Sequence, residues 1–376
     1  MAPVGSAPAA RPTLVSAAGS AAGSAVSTPA SRTPPRSTPA PAAPLKPAPM
    51  TKPVRKPGKP TTKTVAKPVK PPTRAQRPTG KPAGKPAAVT DPLTGGRLSA
   101  NPVIAAKIDN TYFEVPQFGV ASADVVFVEQ VEGGLTRLIA VFHSNFPTEV
   151  GPVRSVRSTD AQLLPGFGTP ALVFAGGAAG PMAALGATRV VDTTGFSDAY
   201  FRSGVAAGAY NLHADLGRIA QRVINLGPVR SIGFHFLANS PQVANGKPVS
   251  SVHVRMAAGA TDFQYIGGRF VRFRHGEPVS DYQGEVQAAE NVLVMSVLDE
   301  PDGTVDMLGS PSYLSKTVGS GKATLYRDGH AVPGYWKRGR STDSFVFTDS
   351  NGQWLPFRPG KTWVLLAPQD AQVTAG

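Results

Sequence analysis

From residue 102 to the end of the chain, apolar residues come in short runs that alternate with polar ones, and glycine, asparagine and aspartate divide the runs. Residues 102–108 predict a strand that ends at Asp109-Asn110. A valine-rich run at 123–129 and an alternating run at 136–143 predict two more, and Glu132-Gly133-Gly134 between them predicts a hairpin turn. Residues 158–164 predict a short helix capped by Ser158 or Thr159. A buried strand at 171–175 leads into Gly176-Gly177, followed by a helix of small residues at 180–187, a short strand at 190–192 and an amphipathic helix at 215–224 with Asp215 near its start. Strands and helices in this mixed order predict an α/β layer.

Beyond about residue 250 the helical period disappears. Strands are predicted at 252–256, 263–265, 270–274, 292–298, 304–308, 323–327, 344–348 and 362–366, separated by turn pairs such as Gly267-Gly268, Asp302-Gly303, Asp328-Gly329 and Asn351-Gly352. That spacing predicts a mostly antiparallel sheet or barrel-like subdomain. The expected fold class is therefore α+β: a mixed α/β N-terminal domain over 91–235 and a β-rich C-terminal domain over 250–370, opened by a turn at Asp91-Pro-Leu-Thr-Gly-Gly96. Trp336, Trp354 and Trp363 all fall in the second region; core packing is the expected use, with a carbohydrate-stacking platform as the alternative.

Residues 1–90 have no such pattern. They hold twenty of the 38 prolines, and no aromatic residue occurs before Tyr112. So little apolar surface cannot offset a backbone ordering cost of ~1–2 kcal/mol per residue, so a disordered, extended arm is expected. Lys-Pro pairs recur at Lys46, Lys52, Lys56, Lys59, Lys67, Lys81 and Lys85, and like charges on a proline-stiffened backbone repel. The arm reads either as a solvated spacer or as a polycation that holds the protein on anionic wall polymer or lipid headgroups. Nucleic acid is disfavoured because no aromatic residue interleaves the lysines.

Charge separates the two parts. Of the 38 Lys and Arg residues, fifteen lie in 1–90 and 23 follow, whereas all 24 Asp and Glu lie after residue 90. The folded part is thus near neutral, and the net charge of +14 belongs to the arm. The absence of cysteine excludes disulfides, a thiolate nucleophile, cysteine metal sites and a lipid-modified cysteine in the sequence as written. No apolar run is long enough to span a membrane, and no signal-peptide core is visible near the N-terminus.

The densest polar cluster is Gly151-Pro-Val-Arg-Ser-Val-Arg-Ser158, ahead of a predicted helix. Arg154 and Arg157, with Ser155 and free N–H groups at a helix start, are the residue types of an anion receptor; the alternative is structural ion pairing with Glu129, Glu132 or Asp160. If the strands ending at Asp109 and Glu129 pair, their carboxylates become neighbours and, with Glu132, form a candidate acid–base group. None of the six histidines has helical ligand spacing to another, so no metal site and no cofactor are expected. His213, in Asn211-Leu-His213, is the best placed of them.

Pro92-Leu-Thr-Gly95, Ile108-Asp-Asn110, Val131-Glu-Gly-Gly-Leu-Thr-Arg137, Gly151-Pro-Val-Arg-Ser-Val-Arg157 and Phe201-Arg202 together resemble the YerB-like family of bacterial lipoproteins of unknown function. Gly319-Ser-Gly-Lys322, Tyr335-Trp-Lys337 and Phe357-Arg-Pro-Gly-Lys-Thr-Trp363 are similar to that family's C-terminal domain. Two features depart from it. Tyr210-Asn-Leu-His213 stands where the family has His-Asn-Leu-Tyr, and no lipidated cysteine precedes Pro92. The resemblance implies an extracytoplasmic, bacterial location and no established reaction.

The expected ligand-binding residues are Asp109, Asn110, Glu132, Arg137, Arg154, Ser155, Arg157, Asn211 and His213. The leading expectation is a non-enzymatic cell-envelope module that binds an anionic wall component or peptidoglycan fragment. A wall-active hydrolase or lyase using clustered carboxylates, and a secreted binder of a small anion, are the alternatives.

Overall fold

The computed structural model describes residues 90–111, 115–224, 226–306 and 309–376. The basic arm lies outside them, apart from Thr90.

Three strands with almost no exposed residue begin the fold: β1 (Ile104–Asn110), β2 (Val125–Gln130) and β3 (Thr136–Phe142). The predicted hairpin forms. β2 and β3 pair antiparallel across a turn in which Gly133 and Gly134 adopt left-handed φ of 66° and 72°, a conformation that favours glycine. β3 also pairs antiparallel with β1, so it lies between β1 and β2. The strands of Asp109 and Glu129 are therefore not neighbours; Arg137 of β3 stands opposite both residues.

Helix α1 (Ser158–Leu163) is capped by neither Ser158 nor Thr159. Arg157 holds the cap position, and the Asp160 carboxylate accepts its backbone N–H at 2.7 Å. The next elements follow expectation: β4 (Ala171–Val173), α2 (Ala179–Gly186), β5 (Val191–Asp192), and α3 (Leu216–Arg222), where Asp215 accepts the Arg218 N–H at 3.0 Å. β4 adds parallel to β1, and β5 parallel to β4.

Residues after 250 divide between two large sheets and smaller two-stranded ribbons. β6 (Ser251–Met256), β7 (Gly259–Ile266) and β8 (Arg269–Arg274) form an antiparallel meander. β9 (Asn291–Val297) joins the first sheet, and β10 (Asp299–Val305) with β11 (Pro311–Ser315) makes a separate two-stranded ribbon. β12 (Gly319–Arg327), β13 (His330–Arg338) and β14 (Val346–Thr348) extend the first sheet outward. β15 (Thr362–Pro368) then inserts between β9 and β2, parallel to both, and β16 (Gln372–Ala375) pairs with β6. The result is one eleven-stranded sheet, ten strands in the order β14-β13-β12-β9-β15-β2-β3-β1-β4-β5 and Lys247–Pro248 pairing with β13 beside this path, with a six-stranded sheet built around β6–β8.

The central strands of the large sheet are buried on both faces. Val126, Val128, Leu138, Ala140 and Leu365 point toward Val252, Val254, Phe263 and Phe270 of the smaller sheet. Phe127, Ile139, Val141, Leu293 and Leu366 point the other way, onto Leu163, Phe167, Phe174 and Leu185. Burial on both faces turns β1–β3 into unbroken apolar runs. It also makes every polar side chain on those strands structurally consequential. Trp336 and Trp363 are core residues, whereas Trp354 is half-exposed and stacks on His235 at 3.8 Å.

The turn at Asp91 is tied to this core. Asp91 Oδ1 accepts the N–H groups of Leu93 (3.0 Å) and Thr94 (2.9 Å), and Oδ2 lies 3.1 Å from His143 Nε2. Burial alone would raise the carboxyl and lower the imidazole, but their mutual attraction outweighs it: Asp91 lies below its usual 3.8 and His143 above its usual 6.5. The His143 contribution is complete below pH 6.5 and is lost as pH rises through its folded value; the Asp91 contribution is present above 3.8 and is lost in acid. The melting temperature is therefore expected to fall as pH is raised from about 6 to 8, and His143→Gln is expected to flatten that slope. An unchanged slope in the variant would show that this pair does not set it.

Candidate functional site

Alternation along β1–β3 places Lys107, Asp109, Glu129 and Arg137 on the α1 side of the sheet. Lys107 and Glu129 form a fully buried ion pair, and Asp160 of α1 receives the same ammonium at 2.8 Å. Glu129 is thus a buried structural partner. Burial pushes it up to about 7, against the pull of Lys107 and with repulsion from Asp160.

Beside this triad a cavity of about 790 Å³ opens at the ends of the strands. It is lined by Glu132, Leu135 and Arg137 of the β2–β3 region, by Arg154, Ser155 and Arg157, by Ala209 and Tyr210, and by Thr304–Asp306 with Ser312. Arg157 grips Glu132 at both oxygens, Nε to Oε1 and Nη2 to Oε2, each at 2.6 Å. Burial would raise the Glu132 carboxyl, but Arg157 outweighs it and holds the pKa below its usual 4.5. Arg154 lies 3.1 Å from Asp109 Oδ1, donates to the Ala209 carbonyl at 2.8 Å and lies 4.7 Å from the Tyr210 ring centre.

Arg137 differs from the other two arginines. It is buried, donates to the Ser155 carbonyl at 3.0 Å, and has no carboxylate within ion-pair distance among the described residues. Burial, with the nearby charges of Arg157 and Arg154, pushes it down to about 10, so it remains a cation at neutral pH.

The expected site residues thus fall into two groups. Glu132, Arg137, Arg154, Ser155 and Arg157 converge on the cavity, and Asp109 stands directly behind Arg154. The Ser155 hydroxyl is occupied by the Ala175 carbonyl at 3.0 Å. Asn110, Asn211 and His213 are not on the cavity wall. Asn110 is buried and accepts from Arg272 Nη2 at 2.6 Å, in a network between the two sheets. Asn211 accepts from Arg202 at 2.7 Å. His213 is packed against Phe118 at 4.5 Å with Nδ1 2.7 Å from Glu149 Oε1. The α1 start is not an open anion site either, since Asp160 occupies the Arg157 N–H. Sequence reasoning missed Tyr210 and the lining at Thr304–Asp306 and Ser312. Tyr210 lies three residues before His213, while no local sequence signal marks Thr304–Asp306 or Ser312.

The cavity draws residues from both halves of the chain, and both halves match one family. The chain belongs to the family described as "Protein of unknown function (DUF3048)": its N-terminal domain matches residues 91–228 and its C-terminal domain residues 252–364. A curated relative, named "Putative lipoprotein YerB", from Bacillus subtilis (strain 168), is 26% identical over 298 residues, covering 74% of this chain and 86% of the relative. The crystal structure of the YerB protein from Bacillus subtilis has the same fold, with a TM-score of 0.63 at 22% identity, covering 76% of this chain and 99% of that one. Hydrogen bonds cross the boundary between the two matched regions, since β15 pairs with β2 along one edge and with β9 along the other.

Proposed function

We propose that this protein is an extracytoplasmic cell-envelope module whose arginine-lined cavity binds an anionic group of a wall component or small ligand. One observation carries the reading: a buried guanidinium, Arg137, reaches the cavity without a carboxylate partner, while Arg154 and Arg157 beside it are paired. A desolvated cation costs folding free energy and is retained where something compensates for it. A carboxylate or phosphate seated on Arg137 would do so through a bidentate, charge-assisted contact. The envelope location rests on the lipoprotein name of the relative.

The hydrolytic alternative is less well supported. Of Asp109, Glu129 and Glu132, only Glu132 lines the cavity, and Arg157 holds it ionised, which suits a partner of a cation rather than a proton donor.

The test is thermal unfolding and titration calorimetry with inorganic phosphate and with acetate. At a hundredfold excess over the dissociation constant, a bound anion should stabilise the protein by about 2.7 kcal/mol. Arg137→Met should abolish that increment while keeping or raising the stability of the ligand-free protein, because it removes an uncompensated buried charge. Wild-type stabilisation by anion in Arg137→Met would refute the reading.

A further inference from the structure

The outer end of the large sheet carries a second feature that the arginine cavity does not use. Across β12 and β13, Ser320 pairs with Lys337 and Lys322 with Tyr335; across β13 and β14, Tyr335 pairs with Thr348 and Lys337 with Val346. Trp336 and Phe347 turn inward and are buried. Gly321 is required on that inner side: a Cβ there would lie 2.4 Å from the Ser296 carbonyl oxygen and 2.6 Å from Trp336 Nε1. Packing therefore explains the inward set. It does not explain Lys322, Tyr335 and Lys337, which face solvent.

These three residues, with Ser320, Val346 and Thr348, line a shallow groove of about 480 Å³, within the ~300–1,000 Å³ range of small-ligand sites. Tyr335 is 51% exposed. No carboxylate lines the groove, and among the described residues neither lysine forms an ion pair. Lys322 and Lys337 are diagonal cross-strand neighbours on one face, a like-charge arrangement that the fold itself does not reward. An exposed ring flanked by two uncompensated ammonium groups is instead complementary to a ligand with an apolar ring face and negative charges beside it.

We infer that this face is a second binding site and that its ligand is an acidic glycan. The C–H face of a pyranose stacks on Tyr335, carboxylates on the same or adjoining rings meet Lys322 and Lys337, and the hydroxyls of Ser320 and Thr348 bond ring hydroxyls. The chain's own arm is not the occupant, since it holds fifteen basic and no acidic residues. A nucleic acid strand is disfavoured because one ring offers no succession of stacking platforms.

The experiment is titration calorimetry of the full chain with an oligogalacturonate hexamer at physiological ionic strength. All three substituted positions are solvent-facing, so the variants should melt with the wild type. Tyr335→Ala should weaken binding about tenfold, and Lys322→Gln/Lys337→Gln at least about tenfold. The arm contains no aromatic residue, so dependence on Tyr335 separates this site from general attraction to the arm. Arg137→Met should leave the Tyr335-dependent binding unchanged, which keeps this inference distinct from the arginine-cavity reading. Wild-type affinity in Tyr335→Ala, loss of binding in Arg137→Met, or equal binding of a glycerol-phosphate polymer or a single-stranded oligonucleotide of matched charge would each overturn it.

Discussion

Replacing Lys107 with methionine is expected to destabilise the protein by about 3–5 kcal/mol and to lower its melting temperature by on the order of 10 °C. The Lys107 ammonium is the shared partner of Glu129 and Asp160, and all three side chains are fully buried. Removing it leaves two carboxylates without solvent and without their cation. Glu129 already stands near 7 with Lys107 present, chiefly through burial, so it is the group that takes up a proton when the cation is lost. A carboxyl whose folded pKa lies above its unfolded 4.5 stabilises the fold at low pH, and that stability is lost as pH rises through the folded value. The penalty of Lys107→Met should therefore be smaller at pH 5 than at pH 8. A second change, Glu129→Gln, removes the charge that Lys107 compensated and should recover more than half of the loss. Denaturant unfolding at both pH values checks this. A Lys107→Met protein within about 1 kcal/mol of wild type at pH 8 would mean that water reaches the triad.

The same triad shows how far the sequence can be read. Local punctuation was legible: Glu132-Gly133-Gly134 makes the β2–β3 turn, and Asp215 caps α3. Glu132, Arg137, Arg154 and Arg157 are candidates by residue type and crowding in the sequence, but that they line one cavity is visible only in the fold. Strand order was not legible either. Whether β1 pairs with β2 or with β3 depends on contacts far apart in sequence, and Arg137 between the two acidic positions is visible only in the register. β15 inserts beside β2 more than two hundred residues downstream, which no local pattern encodes. β13 escaped notice because Pro333 and Gly334 interrupt it. The structure accommodates the proline where β13 has no outer neighbour, between its pairings with Lys247–Pro248 and with β14. Asn110 lies off the cavity wall for a related reason. A polar side chain on a sheet buried on both faces can serve either layer, and only packing decides which.

Asn110 leads to the second large effect. Arg272, nearly fully buried on β8, donates to Gln117 Oε1 at 3.0 Å, Gln287 Oε1 at 2.7 Å and Asn110 Oδ1 at 2.6 Å, and its guanidinium lies 5.1 Å from the Trp363 ring centre. These partners belong to β1, to the segment after it and to the loop leading into β9, so one side chain joins the two sheets through bonds made in the absence of water. Charge-assisted bonds of this kind contribute about 1.5–3 kcal/mol each, and acceptors left unpaired in the interior add their own cost. Arg272→Met is expected to destabilise the fold by about 3–5 kcal/mol, and Arg272→Lys should recover less than half because one ammonium cannot span the fork of acceptors. The loss should also depend on pH. Asp281 accepts from Gln287 at 2.8 Å, and burial pushes it up to about 6 even with Arg272 pulling it down. Without Arg272 its folded pKa climbs further above the unfolded 3.8, so the folded state holds a proton over a wider span and stability falls more steeply as pH rises. The penalty measured at pH 8 should then exceed that at pH 5. An equal penalty at both would show that Asp281 does not sense the guanidinium, and that Arg272 joins the sheets through neutral contacts alone.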